Sequence, residues 1–285
     1  MLVDAPTLAS DERKLLSNYI YSVCGIDLDH TKHYLIESRL RTLVAQTGSG
    51  TYSELYNKAR SDRSGALERA IIDAVTTGET LFFRDHAPFD LLRHKILPEL
   101  IDRRTRSAAG RIPLRIWSAA CSSGQEVYSI AIVLRELLGS ADKYEIRLLG
   151  TDISSQAVAR ASLGVYTDIE AERGLPEDAR MRYFVRRGPS WQIRDEIRAM
   201  ASFRQINLMR DFSMLGQFDV IFCRNVAIYF QETDKASLFA RLAKSLAEDG
   251  ALIIGSTETL NGHSSFEPKR YMRSVFYQRV SRRVS

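Results

Sequence analysis

Apolar residues over the first hundred positions recur at helical spacing. Leu15, Leu16, Tyr19, Ile20 and Val23 fall three and four apart, so they share one helix face. Ser10 stands where a cap is expected, and Asp11 and Glu12 occupy the first turn, where the helix dipole favours acids. Leu35, Ile36, Leu40, Leu43 and Val44 mark a second helix, with Arg39 and Arg41 projecting elsewhere. Thr51 and Glu54 form a capping-box pattern that opens a third, and Leu67, Ala70, Ile71 and Ala74 mark a fourth. No alternation of the strand type occurs before about residue 110. Residues 1–75 therefore read as a small all-α domain, with 76–110 as a connector.

From Arg111 the pattern changes. Leu114–Trp117 is a short apolar run that ends in a loop of small residues, Ser118–Gly124, and Val127, Ile130, Ala131, Leu134, Leu137 and Leu138 then return to helical spacing. Ile146–Gly150 predicts a second strand and Gln156–Ser162 another helix. Later strands are expected at Ser202–Ile206, Phe218–Cys223, Ala251–Gly255 and Arg273–Arg279. Thr233–Leu246 reads as a helix stopped by Asp249-Gly250. Strands alternating with helices imply a mainly parallel sheet covered on both faces, a doubly wound α/β domain over residues 111–285. Within it, 182–200 reads as a small antiparallel hairpin subdomain, Tyr183-Phe184-Val185 and Trp191-Gln192-Ile193 joined across Arg187-Gly188-Pro189-Ser190.

Composition narrows the class. The chain has 285 residues, 45% hydrophobic and 26% charged, enough to bury a sizeable core. No apolar run approaches the roughly 18 residues of a membrane span, and Met1–Ser10 lacks the basic-then-apolar pattern of a secretory signal. Cys24, Cys121 and Cys223 have no paired spacing and read as small buried residues in a reducing compartment, so a cytoplasmic location is expected. Net charge is +5, which leaves an acidic partner and a plain solvated basic surface equally open. The basic clusters (Arg103, Arg104, Arg106 and Arg111; Lys269, Arg270, Arg273, Arg279, Arg282 and Arg283) do not interleave with aromatics as a single-strand groove would. His30, His33, His86, His94 and His263 form no metal-ligand spacing, and no nucleophile elbow is present.

Candidate chemistry gathers at strand ends, where a doubly wound sheet binds ligands. Ser118–Glu126 leads from strand to helix with only one glycine, Gly124, whereas a dinucleotide loop needs several to approach a pyrophosphate. S-adenosylmethionine has no phosphate, so small side chains would suffice; taken alone, the loop reads first as a tight strand-to-helix turn with no ligand. Asp152 could accept both hydroxyls of a ribose, or merely cap a helix. Asn207-Leu208 could hold an adenine edge and face, or form a turn. Arg224 and Asn225, directly after an apolar strand, would lie at the mouth of the site.

Together these stretches resemble the chemotaxis receptor glutamate methyltransferases, the CheR family. The resemblance rests on Thr76-Thr77-Gly78-Glu79-Thr80-Leu81-Phe82-Phe83-Arg84-Asp85, on Ile116–Glu126, on Gly150-Thr151-Asp152-Ile153, on Asn207-Leu208 and on Phe218–Val226, in the family's order and over most of the chain. It implies a Rossmann-like methyltransferase sheet and S-adenosyl-L-methionine as methyl donor, leaving S-adenosyl-L-homocysteine. Thr80 and Arg84, on the connector, would contact the methionine end of that donor; Glu126 would meet its amino group and Asp152 the ribose. Asn207 and Leu208 would flank the adenosine, Asn225 and Val226 would line the cleft near the sulfonium, and Tyr229 and Arg224 would be the catalytic residues, Tyr229 standing near the transferred methyl. The helical domain, through the helix bearing Arg39 and Arg41, would dock the helical bundle of a chemoreceptor, placing a monomeric protein at membrane receptor arrays with no membrane insertion and no nucleic-acid partner. Gly78, Gln125, Val127 and Ala227 depart from the family's usual residues, and the short turn at Gly188-Pro189 implies no reliance on a receptor-tail tether.

A glutamate carboxylate, with a side-chain pKa of about 4.3, is already ionised at neutral pH and needs no general base, in keeping with the absence of a His or carboxylate dyad. The readings in competition are a methyltransferase for nucleic acid, a small molecule or another protein, and a degenerate cofactor-binding adaptor. No Asn/Asp-Pro-Pro-Tyr/Phe stretch of the amino-group methylases occurs.

Overall fold

The computed structural model describes residues 6–28, 33–106, 110–139, 141–260, 262 and 265–280. His30, His263, Arg282, Arg283 and the first five residues lie outside the described residues.

Four helices open the chain: α1 (Ser10–Cys24), α2 (His33–Gln46), α3 (Tyr52–Ser61) and α4 (Ala66–Val75). Leu16, Ile20, Ile36, Leu40, Val44, Tyr52, Leu55 and Ile71 are wholly buried in one separate apolar cluster, which makes this a domain with its own core. Ser10 is not the cap of α1. It is the first helical residue, and the carboxylate of Glu12 turns back to accept the Ala9 N–H at 3.0 Å while its other oxygen accepts the Ser53 N–H at 2.7 Å. A buried acid thus serves two helix starts at once. Thr51 does cap α3, accepting the Glu54 N–H at 3.1 Å, but Glu54 itself reaches back to Gly50.

The connector is irregular from Thr76 to His86. It then enters α5 (Ala87–Leu91), a π-helical turn (Leu92–Ile96) and α6 (Leu97–Thr105). The second core begins with β1 (Ile112–Ala119), α7 (Gln125–Leu138), β2 (Tyr144–Asp152) and α8 (Ser155–Leu163). Next come β3 (Val165–Thr167), α9 (Asp168–Glu172), α10 (Glu177–Tyr183), β4 (Phe184–Arg187), β5 (Ser190–Ile193) and α11 (Asp195–Arg198). The chain closes with β6 (Ala201–Gln205), β7 (Phe218–Cys223), α12 (Glu232–Ser245), β8 (Leu246–Ile254), β9 (Phe266–Tyr271) and β10 (Ser274–Arg279).

The main sheet has the order β6-β2-β1-β7-β8-β10-β9, parallel through β8 and antiparallel at β10 and β9. Every residue of β7 is buried, as a central strand covered on both faces requires. Order reverses beside β1, because the chain moves out to β2 and β6 and then returns to β7 on the opposite side. Register places Ala119 against both Thr151 and Cys223, Asp152 against Gln205, and Cys223 against Ile254. The carboxyl ends of five strands therefore form one crest.

Three local expectations are corrected. The expected hairpin gains a third strand, since β3 pairs with β5 through Tyr166 and Trp191; three residues are too few to show a period. Asp249-Gly250 does not stop a helix: α12 ends at Ser245, Leu246 already pairs with Phe218, and the dipeptide lies within β8 at a register shift. Strand β9 was not foreseen, because Phe266–Tyr271 alternates at a sheet edge with only Phe266 buried. All three cysteines are free and buried, and burial pushes the Cys24 thiol up to about 11. Three members of the basic clusters pair with the protein's own carboxylates: Arg104 with Asp219, Arg103 with Asp249 at 3.3 Å, and Lys269 with Glu267 at 2.8 Å.

Candidate active site

A cleft runs between the crest and the helical domain, and all ten candidate residues line it: Thr80, Arg84, Glu126, Asp152, Asn207, Leu208, Arg224, Asn225, Val226 and Tyr229. They come from the connector, three strand ends and the first turn of α7, so only the folded chain brings them together.

The loop after β1 is held in sharp left-handed turns, with Ala120 at φ 60° and Ser122 at φ 51°. Gly124 (φ 93°) begins α7, and a Cβ there would sit 2.9 Å from the Ala161 Cβ, so the one glycine of this loop permits α7 and α8 to pack. The turns aim the Ser122 N–H at Asp152 Oδ2 (2.8 Å), and the Ser154 N–H meets Oδ1 at 2.9 Å. Asp152 is buried, and desolvation raises its pKa above the ordinary 3.8, partly offset by those backbone donors. Each oxygen still has an acceptor site free, which suits the paired hydroxyls of a ribose.

Arg224 knits the floor together. Its side chain is 1% exposed; Nη1 donates to Glu126 Oε2 at 2.9 Å and Nη2 to Asp85 Oδ2 at 2.6 Å and to the Arg84 carbonyl at 3.0 Å. The same Glu126 accepts the Ser118 hydroxyl at 2.8 Å. These bonds cross from β7 to α7 and to the connector, whose residues Phe83, Asp85 and His86 all have positive φ. Three of its five N–H groups are thus spent on the protein itself, while Nε is buried without a partner.

The other candidates sit around this floor. Arg84 donates to the Glu79 carbonyl at 3.2 Å. Asn207 donates through Nδ2 to the Val23 carbonyl at 2.8 Å and accepts the Met209 N–H at 2.9 Å, while Leu208 is buried beside it. The departures from the family pattern are accommodated by packing. Gln125 accepts the Ser123 hydroxyl at 2.9 Å, Val127 and Ala227 are buried, and the Gly78 carbonyl accepts the Ser122 hydroxyl at 2.9 Å.

The helical domain supplies a wall that the chain's patterning did not signal. Cys24, Ile26, Asp27, Leu28, Leu35 and Arg39 line the cleft, the Asp27 N–H donates to the Tyr229 carbonyl at 2.9 Å, and Tyr21 bonds Asp234. That bond and burial raise the Tyr21 hydroxyl to about 12. Arg39 does not project freely: it bonds the Val75 carbonyl and, at 2.9 Å, the Thr77 hydroxyl, tying α2 to the connector. Such contacts join residues roughly 40 to 200 positions apart in the chain, and no local period encodes them.

Comparison with known proteins identifies this arrangement. The model of the CheR methyltransferase SAM binding domain matches residues 78–276, and that of the CheR methyltransferase all-alpha domain matches 11–76. The chain belongs to the CheR methyltransferase family. It is 39% identical to Chemotaxis protein methyltransferase 1 of Pseudomonas aeruginosa over 89% of this chain and 92% of that one. It is also 39% identical to Chemotaxis protein methyltransferase Cher2 of Pseudomonas putida, over 86% and 88%. With the Chemotaxis protein methyltransferase of Vibrio parahaemolyticus the identity is 37% over 96% and 98%. As a CheR-family member the chain is an S-adenosylmethionine-dependent methyltransferase with a Rossmann-like sheet. Among the described residues no helix is long and apolar enough to cross a membrane, and no group of three or more His, Cys, Asp or Glu is placed to hold a metal ion.

Proposed function

We propose that this protein transfers the methyl group of S-adenosylmethionine to glutamate side chains on the helical bundle of chemoreceptors, forming methyl esters that serve sensory adaptation. The observation that carries the reading is one continuous cleft whose walls are the crest of a methyltransferase sheet and a helical domain of the CheR type. In this reading residues 1–75 dock the receptor, 76–110 connect, and 111–285 hold the donor. The docking face is the exposed side of α2, with Tyr34 67% exposed and Arg41 58% exposed beside Glu37. The protein acts as a monomer in the cytoplasm, at the membrane-bound arrays.

The donor fits the residues present. Asp152 would take the ribose hydroxyls, Glu126 the amino group, Thr80 and Arg84 the carboxylate end, Asn207 and Leu208 the adenosine, and Asn225 with Val226 the wall near the sulfonium. When bound, S-adenosylmethionine supplies an electrophilic methyl on a cationic sulfur. The protein's part is to align a glutamate carboxylate in line with that methyl and to strip water from it. No His is among the residues that line the cleft, and Glu126 and Asp152, the two carboxylates on its floor, are both engaged by donors. An ionised carboxylate acceptor needs no general base. Arg224 acts as a positioning residue, through Glu126 and the 84–85 backbone, which leaves Tyr229 to orient the incoming anion. A single hydroxyl donor suits this task, because a strong salt bridge would hold the anion back from a reaction that neutralises it.

Incubation with methyl-labelled donor and a receptor cytoplasmic fragment, followed by alkali, tests the reading. Release of labelled methanol is expected; label that survives alkali would mean an acceptor other than a carboxylate, and no transfer would mean an adaptor. Tyr229→Phe is expected to lower kcat about tenfold, the size of one hydrogen bond, while leaving the dissociation constant of S-adenosylhomocysteine unchanged. Unchanged turnover would remove Tyr229 from the mechanism.

A further inference from the structure

Glu258, just past the end of β8, is set back from the cleft and is only partly exposed. One of its oxygens, Oε2, accepts two backbone N–H groups, from Asn225 at 2.8 Å and from Gly255 at 2.7 Å. The other, Oε1, is buried and has no partner. A carboxylate placed this way loses water on one side and is retained by two donors on the other. It bridges the ends of the neighbouring strands β7 and β8.

What it holds is strained. Asn225 has φ 57°, a left-handed conformation that an L residue enters at a cost and that Asn tolerates better than most. There the Asn225 N–H meets Glu258 and the residue itself lines the cleft. Gly255 completes the arrangement. A Cβ on it would lie 2.6 Å from Glu258 Oε2, 2.9 Å from Asn225 Nδ2 and 3.1 Å from the Asn225 nitrogen. Only glycine lets the carboxylate and the Asn225 amide both rest against this backbone.

We propose that Glu258 is a positioning residue for the methyl donor: it pins Asn225 in its left-handed turn and so sets the Asn225–Val226 wall of the cleft. This rests on the reading above, that Asn225 faces the donor. Without the bridge, Asn225 would relax toward ordinary backbone angles and turn its side chain from the cleft.

Calorimetry with S-adenosylhomocysteine on the full chain, paired with a melting curve for each variant, separates the two claims. Asn225→Ala is expected to bind about tenfold more weakly, as for one lost hydrogen bond; unchanged affinity would overturn the placement of Asn225 and this inference with it. Glu258→Ala is expected to show a similar loss, about tenfold, with kcat at saturating donor nearly unchanged. Glu258→Gln, which keeps an oxygen for both N–H groups, is expected to stay within about threefold of the parent. Glu258→Asp, one methylene short of spanning both, should follow the alanine variant and is milder if alanine fails to fold. On the Asn225→Ala background, replacing Glu258 should cost no further affinity. If Asn225→Ala weakens binding while the Glu258 variants do not, or if the two losses simply add, Glu258 does not act through Asn225 and the proposal falls.

Discussion

Asp152→Ala is expected to weaken S-adenosylhomocysteine binding by about a hundredfold or more. The carboxylate would accept two ribose hydroxyls, and hydrogen bonds to a charged group are worth about 1.5–3 kcal/mol each. Its geometry is set by the Ser122 and Ser154 N–H groups, so the alanine variant also leaves two donors without their acceptor. Titration calorimetry measures the loss, and affinity within threefold of the parent would remove Asp152 from the ribose subsite. The pH dependence provides an independent check. Burial raises the Asp152 pKa above 3.8, so on acidification the proton returns at a higher pH than for an ordinary aspartate. Affinity should therefore begin to fall above 3.8, and this acid limb should vanish in Asp152→Asn. The sign for stability is opposite. A folded-state pKa above the unfolded value means a contribution present at low pH and lost as pH rises through the raised value. The ionised form of this buried carboxylate is thus held at some expense to stability, which keeps the site ready for a hydrogen-bonding ligand.

Arg224→Ala should be the second large effect. Arg224 is 1% exposed and Glu126 13%, so removing the guanidinium strands one nearly buried carboxylate and releases Asp85 at 37%. Breaking a buried pair in this way costs about 3–5 kcal/mol, and the partial exposure of Asp85 favours the lower end. A denaturant midpoint shift is the readout, with weaker S-adenosylhomocysteine binding alongside it. Both follow from one cause, because the guanidinium also bonds the Arg84 carbonyl in a connector with three consecutive-region positive φ angles, at Phe83, Asp85 and His86. Arg224→Lys keeps the charge but not the fork, and cannot reach Glu126, Asp85 and the carbonyl together. It should recover only part of the stability. An alanine variant as stable as the parent would mean that the ion pairs contribute nothing to holding the floor.

Much of this protein is determined locally. The helices over residues 10–75 and the strand at Phe218–Cys223 follow from apolar spacing, since burying one face of a helix or both faces of a central strand constrains residue type at every position. The strand ends that carry Asp152, Asn207, Arg224 and Asn225 were readable for the same reason, because a polar residue directly after an apolar strand must sit at an edge of the sheet. Where periodicity is too short or one-sided, it misleads: β3 has three residues, β9 buries only its first, and Asp249-Gly250 looks like a helix stop although its backbone belongs to β8. Only the tertiary structure decided which groups face each other. Arg224 is recognisable as polar and central, but its engagement by Glu126, Asp85 and the Arg84 carbonyl depends on three segments meeting. Arg39 looks like a docking residue until Val75 and Thr77 are seen to hold it. The wall from Cys24 to Leu28, the Asp27–Tyr229 bond and the bridge from Glu258 to Asn225 are equally silent in the chain. Hydrogen bonds between distant segments impose no spacing on the sequence, whereas burial of an apolar face does.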